Sequence, residues 1–534
     1  MKKTFTVIAL VLLAVSCNRY LDIKPYGQTI PETAEEFSAL LHAHLDEIDY
    51  GEEVVMGDGL EMADLECYAD NLAANLTQYP GGNYISLYIG EQLSAKQTLY
   101  TNLYAVIRDC NIIIGYLEDR SSRLGMDVLG TAYALRGICY YNLLRNFCQA
   151  CNPDNPGPGV PLVTEFDMEA KPTRSTYNQT VKRIEEDLNK AIEYDIQDEI
   201  YRFNSDVAKG YLARLYFWTQ QYRLAAQYAS ELLEKYPLLD AEPYKAMIGE
   251  QMAKSGNMIF KAQIYAGSSE STALTNSKNY LKNRPCSRLF YDLFAEKEKD
   301  VRFTLSIDAK RLPAKNLLSC LRSAELQLIL AESYYHSEEP EKALAALNEL
   351  RRKRIADVSD YTMQTLPPVD HDDLIQVDAK GNALTPLLYA IHCERRKELF
   401  LEGDRWYELK RNGCPEFWVA KQGRLIPGCI LSRFTLPIFN WSRGWSKIRG
   451  TIKWNKRIRI MNNTMKRRMI AFVAAIAAVV SLSGCDDNYD ETPPLAKDYL
   501  TKYIMPDGVF LGNEDWAQIA SEEDEYEAFL EGSK

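Results

Sequence analysis

CERRKELFLEGDRWYELKRNG, residues Cys393 to Gly413, sets acids and bases among large apolar residues along two helical segments broken at Gly403. Glu394, Arg395, Arg396, Glu398, Glu402 and Arg405 are too many paired charges for an ordinary core helix. Leu399, Phe400, Trp406 and Leu409 are too apolar for an ordinary solvent face. The pattern predicts a helix at a seam, packed on one side and exchanging ion pairs on the other.

Upstream of it the chain repeats itself. Ser205 to Pro237 reads SDVAKGYLARLYFWTQQYRLAAQYASELLEKYP, with Leu212, Ala213 and Tyr216, then Ala225 nine residues on and Pro237 twelve further. Those are tetratricopeptide spacings. The small Ala213 and Ala225 let two antiparallel helices approach, and Pro237 stops the second. Leu330, Ala331, Tyr334 and Ala343 repeat the arrangement, and Asn348, Arg351, Arg352 and Arg354 end that helix, where cations suit its C-terminal dipole. A third pair is split. Gly130–Phe147 and Tyr177–Tyr194 are separated by CQACNPDNPGPGVPLVTE, too rich in Pro and Gly to be helical. A further helix covers Ser94–Leu117, while 238–320 and 355–388 read as loop-rich.

Both ends carry export signals. Lys2 and Lys3, an apolar run from Phe5 to Val15, and Ala14-Val15-Ser16-Cys17 form a lipoprotein signal peptide, with Cys17 the expected lipidated residue. The run is too short for a permanent span, so acyl chains would anchor the protein. Met465-Lys466-Arg467-Arg468, a mostly apolar stretch and Leu482-Ser483-Gly484-Cys485 repeat the pattern, followed by Asp486, Asp487, Asp490 and Glu491. Between them, 439–464 holds seven Lys/Arg and no acid, with little helical or strand period. The expected organisation is a signal peptide (1–17), a body (18–438), a basic junction (439–464), a second lipoprotein signal peptide (465–485) and a truncated acidic piece of a second lipoprotein (486–534). A frame slip near Phe439 followed by read-through into a neighbouring gene accounts for this order. The rival is a genuine fusion with two lipoboxes.

The formal charge is −12; the two leader segments carry +2 and +3, the junction +7 and the acidic tail −11, which leaves the 18–438 body at −13. An acidic body excludes nucleic acid as a partner. Ten cysteines besides Cys17 and Cys485 are scattered, Cys148 and Cys151 form one C-x-x-C without a second, and the five His have no ligand spacing, so no metal site or cofactor is expected. Cys110, Cys139 and Cys320 read as small core residues. No G-x-S-x-G, H-E-x-x-H or phosphate loop occurs, no catalytic set is read, and Asp370-His371-Asp372-Asp373 reads as a solvated acidic loop. Tyr, at 34, outnumbers Phe and Trp together, and most of these rings are expected between helices.

The signature resembles E-R-R-x-E-L-x-x-E-G-x-R-W-x-(D/E)-L-x-R of the RagB/SusD family of surface glycan-binding lipoproteins. Leu103-Tyr104, Cys110-Asn111, Arg136-Gly137 with Tyr140, and Gly159-Val160-Pro161-Leu162-Val163 extend the resemblance, which runs from Cys17 to about Ile438. It implies a mainly α fold of about four tetratricopeptide-like helix pairs with a loop-rich ligand side, the signature helix fixing the scaffold. It further implies an outer-membrane, surface-exposed lipoprotein that is not an enzyme. Such a protein binds an oligosaccharide as a lid over a SusC-like TonB-dependent transporter barrel. A tetratricopeptide-type interaction scaffold, or uptake of a peptide or other non-glycan nutrient, are the alternatives. The ligand loop expected from the residues is Tyr79-Pro80-Gly81-Gly82-Asn83-Tyr84 with Tyr88, where flat rings stack on a sugar and Asn83 reaches its hydroxyls; Trp418 and Tyr265 are secondary.

Overall fold

The computed structural model describes residues 31–50, 55, 62–63, 65–66, 69–72, 95–167, 171–250, 253–262, 281–282, 284–421 and 424–429. The chain divides into two units, Met1–Ile448 and Arg449–Lys534, and every described residue belongs to the first.

Helix starts follow their capping residues. Ser122 accepts from Gly125 N and opens α3 (Arg123–Phe147) earlier than apolar periodicity alone indicates. It follows α1 (Ala34–Tyr50) and α2 (Ala95–Tyr116). Thr176 and Gln179 form a reciprocal capping box at the start of α4 (Tyr177–Tyr194). Asn204 caps α5 (Ser205–Trp218), and a three-residue turn leads into α6 (Tyr222–Lys235). After α7 (Ala241–Gly249), α8 (Arg288–Asp292) and α9 (Val301–Ser306) come α10 (Ser323–His336) and α11 (Pro340–Arg354). Proline in the first turn opens both α11 and α12 (Pro386–Glu398), and α13 (Asp404–Arg411) completes the set.

The fold is mainly α, as expected. The pairs α3/α4, α5/α6 and α10/α11 stack in order, with α2 against α3, α4 against α5 and α6 against α10. α12 packs on α10 and α11 as α10 packs on α5 and α6, and so takes the place of the first helix of a fourth pair. The alanines do what their spacing requires: Ala213, Ala225, Ala331 and Ala343 are all buried. Tyr216 stacks on Tyr228 at 5.8 Å between α5 and α6. The main apolar core runs through α1 to α6, α10, α12 and α13, and takes in Cys110 and Cys139. Strands are few and paired in twos: β1 (Pro158–Pro161) with β2 (Arg174–Thr176), β3 (Met258–Lys261) with β4 (Cys320–Arg322), and β5 (Glu416–Lys421) with β6 (Arg424–Cys429), all antiparallel.

Three expectations are corrected. The signature does not lie at a seam with one ion-pairing side: Glu394 to Glu398 and Arg405 to Asn412 are buried throughout. The arginines ending α11 do more than face a helix dipole, since Arg351 and Arg354 are buried and paired with Glu394 and Glu398. Asp373 is not a solvated loop residue either, because Arg396 and Arg405 both reach it.

Candidate functional site

Two junctions are built from the motif residues. In the first, the Gly159–Val163 segment is stapled across α2 and α3. Tyr104 donates to Pro161 O at 2.7 Å, and Asn111 Nδ2 donates to Val163 O at 2.9 Å. Tyr140 Oη lies 2.8 Å from both Val163 O and Val163 N, so one hydroxyl donates and accepts on the same peptide residue. Arg136 holds Asp187 of α4 through two bonds of 2.6 and 2.9 Å and spends its remaining nitrogen on Asn111 at 2.7 Å. A Cβ at Gly159 would fall 2.4 Å from Thr176 O, so only glycine lets this strand pass the start of α4.

The second junction is the signature itself. Glu398 is shared: Arg322 Nη1 donates to Oε1 at 2.7 Å, Arg354 Nε to Oε2 at 3.0 Å, and Arg302 Nη1 lies 3.6 Å away. Arg302 also forks onto Asp300, at 2.9 and 2.6 Å, and reaches Glu394 at 2.7 Å. Burial alone would push Glu394 up, but Arg302, Lys397 and Arg351 hold it down to about 2. Glu402 takes Arg322 at 2.8 Å and Lys315 at 2.5 Å. The break between the helices sits at Gly403, with φ +70°, a conformation that disfavours a side chain.

From that break the motif reaches back to the 62–72 region. Gly403 N donates to Glu66 Oε1 at 2.9 Å. Arg405 forks onto Asp70 at 2.7 and 3.1 Å, and Arg396 reaches Asp70 Oδ2 at 2.9 Å and Asn71 Oδ1 at 2.7 Å. Desolvation would raise the Asp70 carboxyl, but the two guanidiniums keep it well below the usual carboxylate range. Sequence reasoning named the arginines and missed their partners. Asp70 and Asn71 stand more than 300 residues away in a stretch without period.

Tyr79, Asn83, Tyr84 and Tyr88 lie outside the described residues, as do Cys17, Cys485 and Tyr265, and the side chain of Trp418 is likewise not described. Among the described residues, one recess between α7, β3 and 315–319 has a volume of about 320 Å³ including its open mouth. Glu250, Lys261, Asn316 and Ser319 line it with aliphatic neighbours and no aromatic ring, so it offers no platform for stacking a sugar. Cys148 and Cys151 are buried free thiols, and burial pushes Cys151 up to about 11, which disfavours the thiolate.

These junctions join the segments that known proteins share with this chain. A family model described as "Starch-binding associating with outer membrane" matches residues 19–217, and the SusD family model matches residues 310–493. The chain belongs to the SusD/RagB family. Solved structures agree on the fold. A SusD superfamily protein from Bacteroides thetaiotaomicron is 20% identical with a TM-score of 0.56, covering 77% of this chain and 98% of its own. A SusD superfamily protein from Bacteroides fragilis is 19% identical with a TM-score of 0.57, covering 76% of this chain and 96% of its own. A SusD-like carbohydrate binding protein from Bacteroides vulgatus is 20% identical with a TM-score of 0.55, covering 75% and 90%. No curated protein is similar enough to be matched. The chain is a SusD-type surface binding protein, and none of its described helices is long and apolar enough to cross a membrane.

Proposed function

We propose that this SusD-like chain, lipidated at Cys17 and displayed on the outer membrane, binds an oligosaccharide without chemistry and delivers it to a SusC-like TonB-dependent barrel. The observation that carries this is the pair of family matches, to residues 19–217 and 310–493, one of them described by starch binding at the outer membrane. Tyr79, Tyr84 and Tyr88 supply stacking faces in this reading and Asn83 a hydrogen-bonding group. Capture and release follow from different affinities of an open and a closed lid for the sugar.

The test is a glycan array probed with detergent-extracted protein, together with co-purification from the native membrane. Retention of defined oligosaccharides and recovery with a large barrel support the reading. Recovery with the barrel but retention of peptides alone would replace the cargo with a non-glycan nutrient. Retention of peptides without the barrel would leave a tetratricopeptide-type scaffold.

The 439–464 junction and the second signal ending at Cys485 fit a frame slip and read-through into a second lipoprotein. The SusD family match runs on to 493, across both segments, so the boundary at 438 is the part to be decided. Resequencing the locus from independent isolates decides it: an uninterrupted frame reproduced in each of them makes the fusion genuine.

A further inference from the structure

Two cations meet at the C-terminal end of α3 without a carboxylate. Arg145 stands in the last turn of α3 and is half-buried. Its guanidinium carbon lies 3.9 Å from the centroid of the Tyr407 ring and 4.5 Å from that of Tyr141. Nη2 donates to Asn142 Oδ1 at 3.2 Å, and Nε is buried without a partner. Lys410 of α13 is buried beside it and donates to the Arg145 carbonyl. Among the described residues, no acid pairs with either cation. Nearby guanidiniums differ: Arg214 has Glu325 at 2.6 Å and Arg395 has Asp404 at 2.5 Å.

Buried charges are normally matched by an opposite charge. The two rings and the carbonyls ending α3 stabilise positive charge here but neutralise none of it. The arrangement is also set in advance. Asn142 Nδ2 is committed to Val55 O at 2.6 Å, which leaves its oxygen to Arg145, and Tyr407 Oη is tied to Asn146 Oδ1 at 3.0 Å. With rings over the guanidinium, its edge of N–H groups is what a partner meets. A flat carboxylate takes that edge in the plane of the guanidinium. A tetrahedral sulfate carries oxygens out of that plane toward the rings. Lys410 adds a charge that answers to pH: burial lowers it to about 8, Arg145 also lowers it, and Cys148 and Cys414 act the other way. An anion at Arg145 favours its charged form.

We propose that Arg145, backed by Lys410, is a recognition site for the carboxylate of an acidic sugar, a uronate, within the cargo. This rests on the proposed glycan reading for its ligand, and on the unmatched cations for its position.

The experiment titrates the full chain with a galacturonate oligomer, with its methyl ester and with a sulfated neutral oligomer of the same length. The titrations are repeated for Arg145→Lys and for Arg352→Gln. Arg352 is an exposed arginine of α11 paired with Asp360, so it controls for the loss of one positive charge. The wild type should bind galacturonate about tenfold or more tighter than the ester. Arg145→Lys keeps the charge but loses the fork, and should abolish that preference, while Arg352→Gln keeps it. Wild-type affinity for galacturonate should also fall as pH rises from about 7 to about 9, with affinity for the ester unchanged. Equal binding of acid and ester by the wild type, or an acid preference that survives Arg145→Lys, overturns the inference and leaves glycan cargo standing. Equal binding of the sulfated oligomer overturns the choice of carboxylate. Should Arg145→Lys fail to fold, the wild-type pH profile carries the test, and a flat profile overturns the site. If no sugar binds but a Glu-rich peptide does, and Arg145→Lys abolishes it, the carboxylate site stands and the glycan reading falls. Failure of every carboxylate probe to bind overturns the site.

Discussion

Arg322 and Glu398 meet in a pair from which water is wholly excluded, Nη1 to Oε1 at 2.7 Å, with neither side chain exposed. Glu398 is the more connected partner, because Arg354 and Arg302 converge on the same carboxylate. Arg354 has Glu398 as its carboxylate, while Arg302 keeps Asp300 and Glu394. Removing Glu398 therefore leaves a buried guanidinium without its counter-charge. Glu398→Gln should cost about 3–5 kcal/mol, read as a lower midpoint in urea denaturation with an unchanged slope. Arg302→Gln should cost a similar amount, because Glu394 keeps Lys397 and Glu398 keeps Arg322 and Arg354, but the fully buried Asp300 carboxylate loses its guanidinium fork.

Gly403 is constrained twice. Its φ of +70° disfavours any side chain, and an added Cβ would lie 3.1 Å from both Leu65 Cδ1 and Met62 Sδ. Gly403→Ala should destabilise by about 1–3 kcal/mol. The same change also pushes Met62 and Leu65 away from the break, so the Gly403 N to Glu66 bond should weaken with it. Chemical denaturation measures the first effect, and exchange of the Gly403 amide measures the second.

How much of this was legible follows from distance along the chain. The alanines of α5, α6, α10 and α11 declare close helix contacts through local spacing, and all four paired positions are buried. Tyr104, Asn111, Arg136 and Tyr140 were named through the family resemblance; Tyr104, Asn111 and Tyr140 bond the 159–163 segment, and Arg136 bonds Thr164 O just beyond it. The signature was legible as charge-rich, but its depth was not. An isolated helix with six ion-pairing residues resembles a solvated face until Arg302, Arg322, Arg351 and Arg354 arrive from other elements to neutralise it. Asp70 and Glu66 had no signal at all, since a single acid in an aperiodic stretch looks like any surface acid. The sugar-facing residues expected at 79–88 fall outside the described residues.

Glu66, which accepts from the Gly403 amide, gives this break a pH dependence of its own. Burial pushes its carboxyl up to about 7, against which the Gly403 amide and Lys315 act only partly. The folded chain then keeps a proton up to about pH 7 that the unfolded chain releases near 4.5. Between those values the unfolded state binds fewer protons, so this group's stabilisation is complete below 4.5 and falls as pH rises through 7. The full change is about 3 kcal/mol. Glu394, held at about 2, acts in the other direction and in another window, its contribution present above 4.5 and lost as pH falls toward 2. Glu66→Gln should flatten the melting temperature between pH 4.5 and 7 relative to the wild type. An unaltered slope in that interval would show that the carboxyl titrates alike in both states.

Tyr140 tests the other junction. Its hydroxyl accepts from Val163 N and donates to Val163 O, each at 2.8 Å, in a buried site between α3 and the 159–163 strand. Tyr140→Phe keeps the ring, which sits edge-on to Tyr104 at 6.5 Å, and removes only the oxygen. Val163 O retains Asn111 as a donor, so the amide of Val163 is the group that loses its partner. An unpaired buried donor costs about 1–3 kcal/mol. Tyr104→Phe removes one bond, to Pro161 O, and should cost less, about 1 kcal/mol. The difference should also be spatial: Tyr140→Phe raises exchange at Val163 N, whereas Tyr104→Phe leaves that amide protected. Equal losses with no change at Val163 would mean that the Tyr140 hydroxyl is incidental to the staple.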